Sequence, residues 1–397
     1  MKPTPVIPAG IAIVAVTYGL ARYAYGLFLP TLQAAFRFDA AFAGVLAGGA
    51  SVAYLLATIM ASVLTARVGP RLPVLVGGLS AAVGMLLIAE ARALWMLATG
   101  VVLAGASAGW AWPPMPDAVA RLIHPDRQNS VLAAINSGTS YGVIMAAPIA
   151  FVAGSAWRLA WLVFAVLAVA ATLWNVWLLP TGPDDRSAVS VPRLRWGWFV
   201  CPLSGPLLLS AFVFGLAGSV YWTFAVILIA TTGAFAALSG RIFFALVGAA
   251  GLVGPLAGSL VARLGLQHAL RWSIVGLAAA IGLLPLALAS GAAVLGSAIL
   301  FGGFFIIVSG LLAVWNMTVF YARPSAGLGA IVSLIAIGQL VGPALTGLLA
   351  GRVGLAPTFY GAGVLMVTLV FVVPRMDRRA RPPHKEKGHS SWPPSTC

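Results

Sequence analysis

A single arginine, Arg22, interrupts the first long apolar run of this 397-residue chain. An arginine at the centre of a membrane helix costs roughly 2.5–3.5 kcal/mol on insertion scales, so such residues usually face a cavity or mark a pathway. On an α-helix, Tyr18, Arg22 and Tyr25 share a face through i, i+4 and i+3 steps. A guanidinium fork binds a carboxylate bidentately, and two phenol rings would frame an apolar body. This spacing predicts a site for a small organic anion.

A structural role is the alternative interpretation of Arg22. The residue lies toward the outer end of the predicted first span, 7–29. A long basic side chain near a helix end can extend toward the interface while its stem stays in apolar surroundings. Asp39 and Glu90 are the carboxylates that it would then approach.

The composition places these residues in a membrane protein. Hydrophobic residues make up 61% of the chain, charged residues only 8%, and the mean hydropathy is +1.02. Soluble domains carry roughly 25% charged residues. Apolar runs near the ~20 residues that cross a bilayer occur about twelve times, without the alternation of a membrane β-barrel. The predicted spans are 7–29, 42–65, 72–89, 94–115, 131–153, 159–179, 199–229, 242–261, 270–289, 294–319, 329–349 and 358–373.

The spans belong to two copies of one unit. The string GLA at 19–21 returns at 215–217, and the same offset carries the string at 64–69 onto 260–265. The equivalent of Arg22 in the second copy is Gly218. A duplicated fold with one buried charge on one side predicts a transporter whose ligand lies between the halves.

The repeat also defines the domain organisation. We predict a first six-helix bundle at 1–180, a polar linker at 181–197 and a second bundle at 198–374. The remaining segment, 375–397, is basic and proline-rich, and is predicted to be a disordered cytoplasmic tail near anionic lipid headgroups.

The charge pattern is that of a membrane protein and not of a nucleic-acid-binding one. The net charge is +15, but most of the 23 Lys and Arg residues fall in loops on one side of the predicted spans. This bias places both termini in the cytoplasm, in a bacterial-type inner membrane. The two cysteines, Cys201 and Cys397, are predicted to be free thiols.

The sequence predicts neither an enzyme nor a cofactor- or metal-dependent protein. It contains no phosphate-binding Gly-x-x-x-x-Gly-Lys-Ser/Thr motif and no metal-ligand cluster. No acidic residue and no histidine lies well inside a span, which disfavours exchange of cationic compounds for protons. An anion that brings its own coupling proton, or exchanges for another anion, needs only a fixed positive site. The expected partners are a small, anionic solute and the lipid bilayer, and a monomer suffices.

Two loops carry a family resemblance. After the second span of each half stand SVLTARVGPR at 62–71 and GSLVARLG at 258–265. They resemble the loop signature G-x-L-x-D-R-x-G-R of the major facilitator superfamily, with alanine at Ala66 and Ala262 where the family has aspartate. The string GLARYAYGLFLP at 19–30 is similar to the YbfB/YjiJ-type branch.

The resemblance implies an all-α integral membrane fold, with 12 transmembrane helices in two pseudo-symmetric six-helix bundles. It also implies a gate formed by the loop arginines Arg67, Arg71 and Arg263. In the family, an acid at the position of Asp117 pairs with arginines such as Arg67 or Arg71 when the cytoplasmic side is closed. A solvated helix-end charge is the alternative for Asp117.

Several further polar residues lie on helices that face the central cavity in the family. Besides Tyr18, Arg22 and Tyr25, the predicted substrate-binding residues are Trp110, Asn136, Ser140, Tyr221, Trp222, Asn316 and Gln339. Each polar one could instead make an interhelical hydrogen bond, which contributes about 0.6 kcal/mol on average.

We therefore expect a secondary active transporter for a small organic anion, working by alternating access. Efflux of neutral amphipathic compounds, with Arg22 structural, is the first alternative. A non-transporting membrane sensor is the second, and the short, polar linker and tail disfavour it because neither could form a signalling domain.

Overall fold

The computed structural model describes residues 5–182, 204–231, 237–254, 256–287, 290–320 and 324–374. Within these ranges the chain is helical, with short turns and no β-strand. In the described part of the chain, eleven helices are long and apolar enough to cross a membrane, and a bent pair of helices would be the twelfth span. The predicted all-α membrane fold is confirmed. Cys201, Cys397, the tail and all but the first two linker residues lie outside the described ranges.

The helices are numbered as spans in chain order. The first half contains α1 (Val6–Phe36), α2 (Ala40–Val68), α3 (Arg71–Ala89), α4 (Leu94–Leu122), α5 (Pro125–Ala153) and α6 (Trp157–Leu178). The second half contains α7 (Ser204–Ala230), the bent α8 (Ala237–Gly251 and Leu256–Leu264), α9 (Leu266–Ala287), α10 (Gly291–Val319), α11 (Pro324–Val353) and α12 (Leu355–Val372).

Several helices extend beyond the predicted spans, as α2 does at its start and α1 at its end. The Asp39 carboxylate accepts a hydrogen bond from the Phe42 amide at 2.8 Å and so begins α2. Helix α1 passes through Pro30 and ends at Phe36, well beyond the predicted end at residue 29. Arg22 therefore lies near the middle of α1 and not toward an outer end.

The duplication is visible in the packing of the backbone. In the first half Gly19 of α1 lies directly against Gly142 of α5, where a side chain would overlap main-chain atoms. The equivalent pair, Gly215 of α7 and Gly338 of α11, makes the same contact in the second half. Small residues at a crossing allow two membrane helices to approach closely.

The two halves meet through α1 and α7, α2 and α11, and α5 and α8. A Cβ at Gly44 would overlap the carbonyl oxygen of Pro343, and one at Gly26 would overlap that of Trp222. Arg241 of α8 donates to the Gly154 carbonyl after α5 at 3.1 Å. These contacts cluster toward one end of the bundle, where α1 ends and α2 begins, which we call the α1–α2 end.

Large apolar side chains cover the outer surface. Val152 and Phe371 are each 84% exposed, and Trp177 is 79% exposed. Exposed apolar area on this scale is expected for a surface solvated by lipid. The buried core of each half is aromatic at its centre, with Trp161 in the first half and Phe301 in the second.

Candidate functional site

The segment of α1 that carries Arg22 is not an ordinary α-helix. Residues Ala15–Tyr23 form a π-helix, in which hydrogen bonds run over five residues, and the Ala24 amide continues the pattern to Gly19. Residues four and five apart then return to one face, so Tyr18 shares its face with both Arg22 and Tyr23. Segments of this kind occur frequently at functional sites.

Arg22 extends across the interface between the halves. Its Nη2 donates to Oε1 of Gln339 on α11 at 2.7 Å. Its Cζ lies 3.9 Å from the ring centroid of Tyr54 on α2, a cation–π contact. Nη1 is buried and has no hydrogen-bond partner among the described residues. Among the described residues, Arg22 forms no ion pair with Asp39 or Glu90, the alternative partners, and the Asp39 carboxylate instead accepts from the Phe42 amide of α2.

A small cavity borders Arg22 where the halves meet. Its volume is about 50 Å³, room for a few water molecules at roughly 10–15 Å³ each. Organic ligands occupy pockets of roughly 300–1,000 Å³, so a substrate would require the walls to separate. Among the described residues, no acid lines the cavity, and the walls include Arg22, Tyr23, Tyr25, Ala47, Ser51, Ser219, Trp222, Thr223, Gln339 and Pro343.

An aromatic wall faces Arg22 from the second half. Trp222 stacks on Tyr23 with ring centroids 4.2 Å apart, and its edges meet Phe301 and Phe305 at 5.5 and 5.7 Å. Gly218, the repeat equivalent of Arg22, provides the space that the Phe305 ring fills. The first half therefore presents a cation and two tyrosine rings to the cavity, whereas the second half presents the Trp222 ring, with Phe301 and Phe305 packed against it.

Five predicted substrate-binding residues lie together at or beside the cavity. Arg22, Tyr25, Trp222 and Gln339 line it. The Tyr18 hydroxyl lies 3.2 Å from that of Tyr54, whose ring contacts the guanidinium of Arg22.

Tyr25 lines the cavity, but its hydroxyl is bonded to the backbone of a neighbouring helix and not to Arg22. Its hydroxyl donates to the Ala43 carbonyl of α2 at 3.3 Å. The π-helix that precedes Tyr25 changes the register of the face, which explains why this phenol does not frame Arg22 as the α-helical spacing predicts.

The other predicted substrate-binding residues lie elsewhere in the described structure. Tyr221 is in the core of the second half, where its ring stacks on Phe301 at 3.7 Å and its hydroxyl lies 2.8 Å from that of Ser297. Ser140 is buried where α5 meets α8. Trp110 is partly buried beside Gly77, and Asn136 is exposed on α5. Asn316 is buried beside Gly327.

Sequence reasoning missed Tyr23, Tyr54 and Ser51. Tyr23 follows Arg22 directly, but on an α-helix it would point to another face. Tyr54 is a lone tyrosine within the apolar run of α2, a signal that could have pointed to a cavity-facing position. Ser51 lies one turn before Tyr54 on the same helix, and a single serine in an apolar run is not by itself a signal of function.

Comparisons with known proteins identify the family of this chain. The profile described as Major Facilitator Superfamily matches residues 11–334. The chain belongs to the major facilitator superfamily. This membership indicates a multi-pass membrane transporter and not an enzyme. The assignment to the YbfB/YjiJ-type branch stays a prediction.

One relative that resembles the chain in sequence has a name that describes regulation and not transport. The chain is 26% identical over 321 residues to the "Transcription regulatory protein OpdE" of Pseudomonas aeruginosa, covering 74% of this chain and 75% of that protein.

The solved structures that resemble the chain establish the fold alone. A mutant of the nucleoside transporter NupG has a TM-score of 0.73 at 14% identity, covering 92% of this chain and 98% of that one. A transporter of the POT family in complex with 5-aminolevulinic acid has a TM-score of 0.72 at 12% identity, covering 93% and 95%. A bacterial homologue of the lysosomal transporter Spinster, inward-facing and occupied, has a TM-score of 0.67 at 16% identity, covering 94% and 96%.

The predicted gate of this superfamily transporter lies at the end opposite to the α1–α2 end. Asp117 forms an ion pair with Arg121, four residues along its own helix, at 2.9 Å. Arg71 donates through Nε to the carbonyl of Leu179 at 2.7 Å, just beyond α6. This ion pair lies within α4, where i, i+4 residues are neighbours on the helix, and the pairing of Asp117 with Arg67 or Arg71 on closure of the cytoplasmic side stays a prediction. Two further predicted gate residues are exposed, Arg67 and Arg263.

Proposed function

We propose that this chain is a secondary transporter for a small organic anion, with a carboxylate bound by Arg22. The observation that carries the proposal is Arg22 itself, whose side chain lines a cavity between the halves and whose buried Nη1 has no hydrogen-bond partner among the described residues. A buried charged donor without a partner is costly, and a substrate carboxylate would satisfy it.

The surroundings of Arg22 support an anion over a cation. The lining residues that the structure describes include no acid, so nothing there would compensate a second positive charge. Trp222 adds a buried indole N–H that has no acceptor among the described residues. The stacked rings of Tyr23 and Trp222 would contact the apolar or aromatic body of the substrate.

In alternating access, the cavity would be the substrate site that opens to one side of the membrane at a time. The contacts between α1 and α7 and between α2 and α11 hold the halves together at the α1–α2 end. With both termini cytoplasmic, this end faces the periplasm, and the solute would enter or leave Arg22 from the cytoplasm in this conformation. Rocking of the halves about the midplane would then expose the same site to the other side. The ion pair of Asp117 and Arg121, with Arg67, Arg71 and Arg263, would belong to the cytoplasmic gate.

Coupling of anion transport to a proton or to a second anion would not depend on a carboxylate of the protein. Because Arg22 is a fixed positive site, an anion could carry its own proton or exchange for a second anion. A monomer in a bacterial-type inner membrane contains the whole site.

Flux through proteoliposomes tests the proposal. Counterflow of radiolabelled benzoate, succinate and a neutral amphiphile would be compared for wild type, Arg22→Lys and Arg22→Ala, with the loop variant Arg92→Ala as the matched control. A charge-assisted hydrogen bond contributes about 1.5–3 kcal/mol, so we expect anion flux to fall at least about tenfold in Arg22→Ala and to remain in Arg92→Ala. Export of the neutral compound that survives Arg22→Ala would instead support efflux of neutral amphipathic compounds.

A membrane regulator is the second candidate, favoured by the name of the Pseudomonas aeruginosa relative. Such a protein would bind a ligand at the same cavity without moving it across the membrane. Ligand binding that depends on Arg22, with no flux by the purified protein in proteoliposomes, is the result that would favour this candidate.

A further inference from the structure

The cavity between the halves contains one positive charge. Among the described residues that line it, Arg22 is the single charged one. The second half has Gly218 at the equivalent position, where the Phe305 ring fills the space that a side chain would occupy. The other charged residues of the described helices lie within about two turns of a helix end, whereas Arg22 lies near the middle of α1.

The uncharged polar groups of the cavity do not replace a second cation. The hydroxyls of Ser51 and Ser219 each donate to a main-chain carbonyl, at 3.1 and 2.9 Å. The Trp222 indole and the Gln339 amide are uncharged donors, and the amide oxygen already accepts from Arg22. An ionised carboxylate has two oxygens with about four acceptor positions. These groups therefore suit a neutral carbonyl or carboxyl oxygen better than a second negative charge.

A second negative charge would be enclosed by apolar walls. The walls include Ala47, Val101 and the Tyr23 ring, which stacks on Trp222 with centroids 4.2 Å apart. Transport by alternating access closes the site on one side before it opens on the other, so no part of the substrate stays in bulk water throughout. An ionised carboxylate without a counter-ion is so costly in apolar surroundings that the group takes up a proton instead.

We propose that the site transports carboxylates with one negative charge, and that a dicarboxylic acid crosses only in its singly protonated form. The proposal rests on the anion function proposed above and narrows its substrate class to monoanions whose further polar groups are uncharged. A dianion can reach Arg22 from the open side with its second carboxylate in water, but the halves cannot close around it. A dicarboxylic acid therefore carries one proton across with it.

Compounds built on one ring skeleton test this charge limit. Terephthalate is a dianion, 4-carbamoylbenzoate is a monoanion of nearly the same shape, and terephthalamide is neutral. Initial rates of counterflow of the radiolabelled compounds would be measured in proteoliposomes of wild type and Arg22→Ala, with equal pH inside and outside. The leak through protein-free liposomes is subtracted. Succinate and succinamate provide the same comparison on an aliphatic skeleton.

The dianion should be the poorer substrate, and its flux should depend on pH. At about pH 8 roughly one terephthalate molecule in a thousand or fewer carries a proton, so we expect 4-carbamoylbenzoate flux to be at least about a hundredfold faster. From about pH 6 to about pH 8, terephthalate flux should fall about tenfold for each pH unit, while 4-carbamoylbenzoate flux stays constant. Flux of terephthalate that equals that of 4-carbamoylbenzoate at pH ~8, or that does not change with pH, would overturn the proposal.

A cation added from the second half should relax the charge limit. Gln339→Lys places an ammonium at the cavity on an unbranched side chain, and Gln128→Lys adds the same charge at the start of α5 as the matched control. At about pH 8, the ratio of terephthalate to 4-carbamoylbenzoate flux should rise at least about tenfold in Gln339→Lys and match wild type in Gln128→Lys. An unchanged ratio in a Gln339→Lys protein that still moves 4-carbamoylbenzoate would contradict the charge limit.

Terephthalamide and Arg22→Ala distinguish this proposal from the anion function itself. If wild type and Arg22→Ala move terephthalamide and 4-carbamoylbenzoate alike, the anion function is wrong and the charge limit falls with it. If wild type moves 4-carbamoylbenzoate and terephthalate alike, and Arg22→Ala moves neither, the anion function stands and the charge limit alone is wrong.

Discussion

Replacing Arg22 by methionine should leave the stability of this protein almost unchanged. Methionine keeps an unbranched chain of similar length and removes the charge and its donors. The structure gives Arg22 two stabilising contacts, the Nη2 hydrogen bond to Gln339 at 2.7 Å and the Tyr54 ring at 3.9 Å. It also gives Arg22 a buried Nη1 without a partner among the described residues.

The free energy lost with the contacts of Arg22 nearly equals the cost of burying its charge, which the substitution recovers. The hydrogen bond to a charged group contributes about 1.5–3 kcal/mol, and a desolvated cation–π contact about 2 kcal/mol. Removing an arginine from the centre of a membrane span recovers roughly 2.5–3.5 kcal/mol, and removing the unpaired Nη1 recovers a further part. The expected net change in the free energy of unfolding is a loss of about 1 kcal/mol or less.

Unfolding by sodium dodecyl sulfate in mixed micelles, followed by tryptophan fluorescence, measures this difference. Arg158→Met is the matched control, because Arg158 donates to the Ala91 carbonyl at 2.9 Å and lies over Trp157 at 4.3 Å, but at the end of a span. Arg158→Met should lower the free energy of unfolding by about 1 kcal/mol. Removing this arginine recovers no desolvation cost, because it lies at the end of a span. A loss above about 3 kcal/mol in Arg22→Met would refute the reasoning and make Arg22 a structural residue.

Three further predictions follow from the contacts between helices. Gly26→Leu should overlap the Trp222 carbonyl and shift spin-label distances at the α1–α2 end to the separated state, whereas an unchanged distance would contradict the close packing of α1 and α7. Ser51→Ala should remove the hydroxyl that lies 3.1 Å from the Ala47 carbonyl and 3.3 Å from the Gln339 carbonyl, and lower the free energy of unfolding by about 0.6–2 kcal/mol in the same detergent assay, and no change would contradict a stabilising contact of this hydroxyl between α2 and α11. Arg71→Gln should expose the end of α6 and speed backbone hydrogen exchange there, with exchange at α12 as the internal control, because Arg71 contacts the carbonyl just after α6.

The sequence predicts the fold closely because the bilayer demands long apolar helices, and their runs are visible without tertiary information. The repeated strings place Gly19 and Gly215 at equivalent positions, and the structure adds what the strings do not contain, namely their packing against Gly142 and Gly338. Helix ends are less predictable, as α1 shows, because a proline within a membrane helix need not end it.

The site is only partly predictable because two of its determinants are not local. An α-helical period places Tyr25 on the face of Arg22. The π-helix over Ala15–Tyr23 instead brings Tyr23, with Arg22, to the face of Tyr18. The partners of Arg22, Gln339 and Tyr54, come from α11 and α2, and their register against α1 is set by packing.

The most direct test of the central claim is a thermal-shift screen of the detergent-purified protein. Small carboxylates, cations and neutral amphiphiles would be tested against wild type, Arg22→Lys and Arg22→Ala. We expect a carboxylate that raises the melting temperature of wild type and has no effect on Arg22→Ala, because the guanidinium at the cavity provides the binding charge. Stabilisation of all three proteins alike, by neutral or cationic compounds, would contradict an anion site at Arg22.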